Sequence, residues 1–512
     1  MEGAMADLIG AEWLAREYDV APVQPFRVQS RIGGSRETYR DGDYWRHTYP
    51  EQYRPEPTLV GHLEFMLKRE GVHLEFFARL FAKAGHDEIS RWAQGSPTGK
   101  YARRAGFFYE WITGRPLDFE GVRNGGYVDA LDSREALQAT RATNVPRWRV
   151  SDNLPGTPEF CPSVRSTETI REAEAFDIAA GWHDLEEEFG VDLLARSVVW
   201  LTIKESRASF AIEGEQNQTD RIRRFAAVME RHVGRRDDVL TPAALESLQT
   251  EILGERATRY GVRRSPIFVG ETRGMLEIVH YIGPEWSRVL LMIAALDAVE
   301  ERTRGQNALI RAAILSFGFV YIHPLTDGNG RISRFLVNDV LRRDGAVPSP
   351  YLLPISATIS RSAAGRREYD RALENLSEPL MARYRRLYRF GKTTRYEDGT
   401  ESNLEFDAYD DALPVWRYPD FTSHATYTYG LVRTTLQEEL REEARQLRAY
   451  RGARERVKAV LEGPDADLDR IVRSVQGIWA ISGKLRAEFP LLEDEALAKD
   501  VVEAVRQGLE EI

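Results

Sequence analysis

The chain is 512 residues long, 42% hydrophobic and 29% charged, with a formal net charge of −10 and one cysteine, Cys161. This composition fits a soluble globular protein of two to four domains, not a disordered chain, and a lone cysteine rules out an internal disulfide. The acidic balance weighs against a general nucleic-acid binder, and the cysteine usage makes a reducing, cytoplasmic setting the expectation. The first twenty residues, MEGAMADLIGAEWLAREYDV, carry charges throughout, so no signal peptide is expected. The longest apolar run, near VLLMIAAL at 289–296, is far short of a membrane span.

Residues 1–165 read as an N-terminal, mostly helical region. It opens with a polar, irregular stretch, RIGGSRETYRDGDYW, followed by helical spacing in GHLEFMLKREGVHLEFFARLF. GSPTGKY at 95–101 falls one residue short of a P-loop and has Tyr101 where a magnesium-binding hydroxyl belongs. The basic-aromatic cluster KYARRAGFFYEW reads as a charged helix packing on its neighbours rather than a phosphate-backbone patch. Pro, Gly and Asn cluster in SDNLPGTPEFCPS at 151–163, a loop and a domain boundary.

Residues 166–390 read as one helix after another. VDLLARSVVWLTIKESRASFAIEG places Leu194, Val198 and Leu201 on one stripe and stops at Gly214, a natural C-terminal cap. Between 264 and 281, β-branched residues and two glycines suggest a short hairpin. QNALIRAAILSFGFVYI is apolar nearly all round, so it belongs inside a bundle, and Pro324 ends it just before the next stretch. The polar 391–411 reads as a linker. Residues 412–512 read as a C-terminal helical region, with a solvated, ion-paired helix whose thin apolar stripe is Leu436, Leu440, Ala444 and Leu447.

The most informative stretch is HPLTDGNGRISR, at 323–334. TDGNG is turn chemistry, and a second helix begins near Gly330, with Gly345 as its cap. A small-residue loop feeding a helix N-terminus is an anion site, because unpaired amides and the helix dipole both favour negative charge. Arg331 and Arg334 are three apart and share a face, which suits a polyphosphate. Asp327 is a candidate Mg2+ ligand, since that ion keeps most of its ligands as water and phosphate oxygens. Asn329 can orient a phosphate, and His323 is the side chain suited to act as a base near neutral pH. The set points to transfer of a phosphate-containing group to an alcohol. The plainer alternative is a helix–loop–helix turn with surface arginines and an ordinary histidine.

These residues resemble the signature of the Fic (Fic/Doc) family, His-Pro-Phe-x-(Asp/Glu)-Gly-Asn-Gly-Arg-x-x-Arg, with Leu325 replacing Phe as the one departure. The resemblance is strongest across about 190–390. It implies a mainly α fold: a Fic-type helical bundle core over 166–390 with a short β-hairpin flap, flanked by helical N- and C-terminal regions. It implies transfer of AMP from ATP to a Ser, Thr or Tyr hydroxyl of a protein target. His323 would deprotonate that hydroxyl, Asp327 would hold Mg2+, and Gly328, Asn329, Gly330, Arg331 and Arg334 would bind the phosphates. Self-modification is expected, no membrane or nucleic acid is expected as partner, and a homodimer is left open. SFAIEG further resembles the family's inhibitory motif, (Ser/Thr)-x-x-x-Glu-(Gly/Asn), of the class with the inhibitory helix N-terminal to the core. Its residues are Ser209, Glu213 and Gly214, with Glu213 pairing with Arg334 at the γ-phosphate position.

The alternatives are other Fic chemistries and a different class altogether. The first comprise UMP, GMP or phosphocholine transfer, phosphorylation, and de-AMPylation with Glu213 taking part. The second is a catalytically silent interaction protein, although the intact His323, Asp327, Asn329 and Arg331 speak against it. A DNA-binding regulator is disfavoured by the acidic balance and by the absence of a clear basic recognition helix.

Overall fold

Residues 7–165 open with strands and one short helix, Ala11–Glu17. In this computed structural model, which describes residues 7–42, 44–215, 217–254, 259–273 and 276–510, Leu8–Ile9, Val28–Ile32, Tyr44–Tyr49 and Glu37–Asp41 lie side by side in that order as one sheet. The stretch reads as irregular in sequence because Glu37–Asp41 is exposed along its whole length and carries no apolar alternation. Helices Leu59–Phe65, Leu74–Lys83, His86–Gly95 and Lys100–Thr113 follow around a core that includes Phe76, Phe77 and Phe108. The helical spacing of 61–81 is broken at Gly71 and restarts where His73 Nδ1 accepts from the Phe76 amide (3.2 Å). Arg104 of the last of these helices is buried and donates to the Ala130 carbonyl. KYARRAGFFYEW thus builds the interior instead of a cationic surface.

The boundary loop is not a hinge. Cys161 N donates to the Arg417 carbonyl (2.8 Å) and Ser163 N to that of Pro419 (2.9 Å). Gln24 Nε2 donates to the Tyr418 carbonyl (3.0 Å), and Arg27 pairs with Asp420 (2.9 Å). The N-terminal region therefore shares an interface with residues near 420 as well as adjoining 166 onward.

The fold from 166 is mainly helical. After two helices at Glu168–Ala175 and Ile178–Phe189, its elements are α1 (Val191–Ile212), α2 (Thr219–His232), α3 (Pro242–Leu253), a hairpin of β1 (Phe268–Arg273) and β2 (Leu276–Ile282), α4 (Trp286–Arg302), α5 (Ala308–Ile322), α6 (Asn329–Arg343), α7 (Ile355–Ser360) and α8 (Ala363–Tyr384). Asn307 caps α5 by accepting from the amides of Leu309 and Ile310, both at 3.1 Å. The helix is buried on nearly every side, as its composition requires. Its one cation, Arg311, is neutralised inside the bundle by Glu300 of α4 and Asp344, so α4, α5 and the end of α6 are fixed together by charge as well as by apolar packing.

Two expectations fail beyond α8. The segment expected as a linker, 391–411, forms most of a second hairpin, β3 (Tyr388–Arg395) and β4 (Glu401–Phe406), with an Asp398-Gly399 turn. Its composition is polar because the hairpin is largely exposed, yet Leu404 and Phe406 anchor it in the core. An Asp-Gly pair between β-prone runs is a hairpin signal, and it is legible here. After α9 (Tyr409–Arg417) and α10 (Thr422–Thr434) comes the charged helix α11 (Leu440–Val460). It is not merely solvated: Leu436, Leu440 and Ala444 are buried, and Lys204 of α1 reaches Glu439 (2.6 Å) and Glu443. Helix Glu495–Glu510 packs on the same α11. No helix among the described residues is long and apolar enough to cross a membrane.

Candidate active site

Helix α5 ends at His323, which takes a left-handed conformation at φ 49. That conformation is strained for a residue with a Cβ and persists only where its surroundings hold it. His323 Nδ1 lies 3.0 Å from the Val320 carbonyl, one turn back. The carbonyl can only accept, so Nδ1 carries the proton and the Nε2 lone pair is left for chemistry. Burial pushes the imidazolium down to about 4; the Val320 bond opposes this and nearby Arg263 reinforces it.

The loop then turns through Gly328, at φ 91, into α6. Asn329 does not offer its amide to a ligand as the sequence suggested. Its Oδ1 accepts from Leu325 N (3.0 Å) and its Nδ2 donates to the Leu325 carbonyl (2.7 Å), so it closes the loop on itself. Leu325 is fully buried, in keeping with an apolar role for that position. Asp327 is half-exposed, and its Oδ1 accepts from Arg331 Nη2 (2.6 Å).

The end of α1 meets the first turns of α6. Arg334 Nε donates to Ser209 Oγ (2.8 Å), and Nη2 donates to the Ser209 carbonyl (3.1 Å) and to Glu213 Oε1 (2.7 Å). Glu213 Oε1 lies 2.1 Å from where a Cβ on Gly330 would stand, so the carboxylate rests on the first turn of α6 only because position 330 has no side chain. This is the place where a helix N-terminus binds an anion. Desolvation works against the ionised Glu213, but Arg334 and, more weakly, Arg331 and Arg366 outweigh it and hold the carboxyl below its ordinary value. Gly214, at φ 75, turns the chain so that α1 ends there.

Several contributors carried no signal in the sequence. Glu215, two residues beyond Glu213, pairs with Arg331, so the turn after α1 holds both arginines of the motif, one carboxylate each. Phe210 lies under the Arg331 guanidinium at 4.7 Å. Arg366 of α8 donates to the Ile212 carbonyl (2.6 Å), capping α1 from across the cleft.

His323, Glu213 and Gly330 face a cleft of about 1150 Å3 between the β1–β2 hairpin and α8, which contributes Tyr369, Leu373 and Met381. The hairpin pairs Phe268 with Ile282 and Val269 with Tyr281, then shifts register at Gly270. Its tip lies outside the described residues. The site thus brings together Ser209, Glu213, Gly214, His323, Asp327, Gly328, Gly330, Arg331 and Arg334, with Asn329 turned inward. Among the described residues no group of three or more His, Cys, Asp or Glu is placed to hold a metal. Asp327 is the loop's own carboxylate. A second cleft, of about 880 Å3 and lined by Phe119, Arg123 and Arg147, lies in the N-terminal region and shares none of these residues.

A partly buried base beside a helix N-terminus with two clamped arginines makes an anion-binding type of site on a helical core. Residues 239–341 match the model of the Fic/DOC family, and a Fic/DOC family domain occupies that part of this chain. Two curated relatives, named protein adenylyltransferase fic-1, from Caenorhabditis briggsae and Caenorhabditis elegans, are each 41% identical over 56 residues, 11% of this chain and 11% of their own length. The chain thus matches only about a tenth of either relative. A crystal structure of a Fic family protein from Desulfovibrio desulfuricans G20 aligns with a TM-score of 0.37 at 20% identity, covering 56% of this chain and 79% of that one.

Proposed function

We propose that this chain transfers AMP from ATP to a hydroxyl of a protein target and is held off by its own Glu213. One observation supports this most: the carboxylate of Glu213 lies on the N-terminus of α6 and on Arg334, in the cleft that His323 lines. An anion site, an internal anion filling it and a neutral base are what a restrained phosphoryl-group transferase needs.

In this reading His323 Nε2 takes the proton of the target hydroxyl. The freed oxygen bonds to the α-phosphorus of ATP as the bond to the β-phosphate bridging oxygen breaks, and pyrophosphate leaves. Gly328 and Gly330 present backbone to the phosphates. Arg331 and Arg334 take phosphate oxygens once Glu215 and Glu213 release them, and Asn329 keeps the loop closed. The donor set fits Mg2+: Asp327 offers a half-exposed carboxylate, and the ion completes its shell with water and phosphate oxygens. Bound there, Mg2+ would neutralise phosphate charge. The β1–β2 hairpin beside the cleft gives a target segment a strand to pair with.

The test is incubation of Glu213→Gly with ATP, Mg2+ and cell lysate, followed by mass spectrometry of the modified proteins. The expected result is AMP on Ser, Thr or Tyr, with the chain itself among the products. A different adduct would move the reading to another nucleotide or to phosphocholine. No adduct at all, with ATP bound, would leave the silent interaction protein.

A further inference from the structure

Arg263 is buried, at 1% exposure, in the segment between α3 and β1. Its guanidinium faces backbone carbonyls instead of a carboxylate. Nε donates to His323 O (2.7 Å), Nη1 to Ser265 O (2.8 Å), and Nη2 to Pro284 O (2.7 Å) and more loosely to Ile322 O (3.4 Å). The Arg263 amide donates to the carbonyl of Pro324 (2.8 Å), and Val262 bridges to Leu325. One planar cation therefore joins three segments: the approach to β1, the exit from β2, and the junction of α5 with the catalytic loop. Ser265 and Pro284 are the two stems of the hairpin that walls the cleft. The His323 carbonyl belongs to the residue in the strained left-handed conformation. A buried charge with only neutral partners costs stability and needs a compensating role.

We propose that Arg263 is a positioning residue, locking the left-handed backbone of His323 and registering the base against the hairpin that presents the target hydroxyl. The inference rests on the proposed AMP transfer. It assigns Arg263 no contact with substrate. A fixed fork of donors is what the arrangement uses, so lysine, a flexible point charge, does not replace it. Displacing a reacting group by about 1 Å costs on the order of 10²-fold in rate, and nucleotide affinity does not depend on that placement.

The experiment compares Glu213→Gly with Glu213→Gly/Arg263→Lys, and with Glu213→Gly/Arg264→Ala as control. Arg264 is exposed and pairs with Glu397. The expected result is a kcat lower by roughly 10–10²-fold for the Arg263→Lys protein, with ATP Kd and melting temperature near those of Glu213→Gly and the control at full rate. Methylguanidine should restore part of the rate to an Arg263→Gly protein and not to an Arg263→Lys one. Equal kcat would overturn the proposal. Loss of folding or of ATP binding in Arg263→Lys would overturn it too, by showing a general structural role. A readout independent of activity keeps the two readings apart. Nitrogen NMR of labelled histidine should show the Nδ1–H form of His323 in Glu213→Gly and a mixture of forms in Arg263→Lys. If Glu213→Gly transfers nothing, the function fails while this signature still decides the role of Arg263, and an unchanged His323 signal would sink it.

Discussion

At the scale of single residues, the proposed function makes the site a competition between anions for two arginines that Glu213 and Glu215 hold. In the proposed AMP transfer, Glu213 and a phosphate could not share Arg334 in one geometry, so the protein would have two states, with ATP bound productively only in the one that Glu213 has left. Glu213 is kept below its ordinary carboxyl value, so the contact persists at neutral pH and weakens only as pH falls through that depressed value. With His323 the sign is the same for a different reason. Its folded-state value near 4 lies below that of a free imidazole, so its neutral form is secured above about pH 6.5 and becomes costly as pH falls from there towards about 4. Transfer by Glu213→Gly should therefore stay level from about pH 8 to about pH 5; a rate that halves near pH 6.5 would show an ordinary imidazole. His323→Ala in that background should lose roughly 10²–10⁴-fold in rate while keeping ATP affinity, read by labelled AMP incorporation and by calorimetry. Glu215 gives a further case. Glu215→Gln in the Glu213→Gly background leaves Arg331 with Asp327 as its one remaining carboxylate partner and should tighten ATP binding by about 5-fold or more, the lower range of a coupled pair. An unchanged Kd would leave Glu215 as packing alone.

At the scale of elements, α1 is clamped from both sides. Its C-terminal end presses on α6 through Ser209 and Glu213, and its middle is held by α11 through Lys204, Glu439 and Glu443. Glu205, fully buried on the same helix, accepts from the Ser356 amide (2.7 Å) at the start of α7, and burial raises its carboxyl to about 7. Lys204→Met would leave two largely buried carboxylates with less positive charge between them, a costly arrangement. Basal AMP transfer should then rise several-fold but remain below that of Glu213→Gly, on the order of the weaker end of allosteric coupling. If Lys204→Met leaves transfer at the wild-type level, α11 does not set the position of α1.

At the scale of the whole molecule, the N-terminal region is joined to the bundle by a buried charge cluster. Glu75 accepts from the amides of Val23 (2.7 Å) and Gln24 (3.0 Å) and pairs with Arg79 (2.9 Å). Arg79 continues to Tyr384 Oη at the end of α8 (3.1 Å) and to Asp411 of α9 (3.3 Å). Arg79→Met removes the cation while Glu75 stays fully buried. A loss of about 3–5 kcal/mol is expected, measured by urea denaturation. If the loss is below about 0.5 kcal/mol, the cluster is peripheral.

Some of this was fixed locally and could be read from the chain. The apolar periodicity of α5, the turn residues 326–330, the two arginines three apart and the Ser209-to-Glu213 spacing are properties of neighbouring residues, which is the range over which helix period and turn chemistry act. The hairpin at β3–β4 was equally legible in its Asp-Gly turn, but its polar composition, a consequence of exposure, suggested a linker. Other features depend on contacts between distant segments. The inward turn of Asn329, the pairing of Glu215 with Arg331, the bond of Arg366 to the end of α1 and the burial of Arg263 have no local signature. Charged side chains show no period, and their partners are chosen only when the helices pack. The sequence therefore determined which chemistry the loop at 323–334 could support. Tertiary packing decided which carboxylates occupy its arginines and which cation holds its histidine, because desolvated charges must find partners wherever the fold brings them.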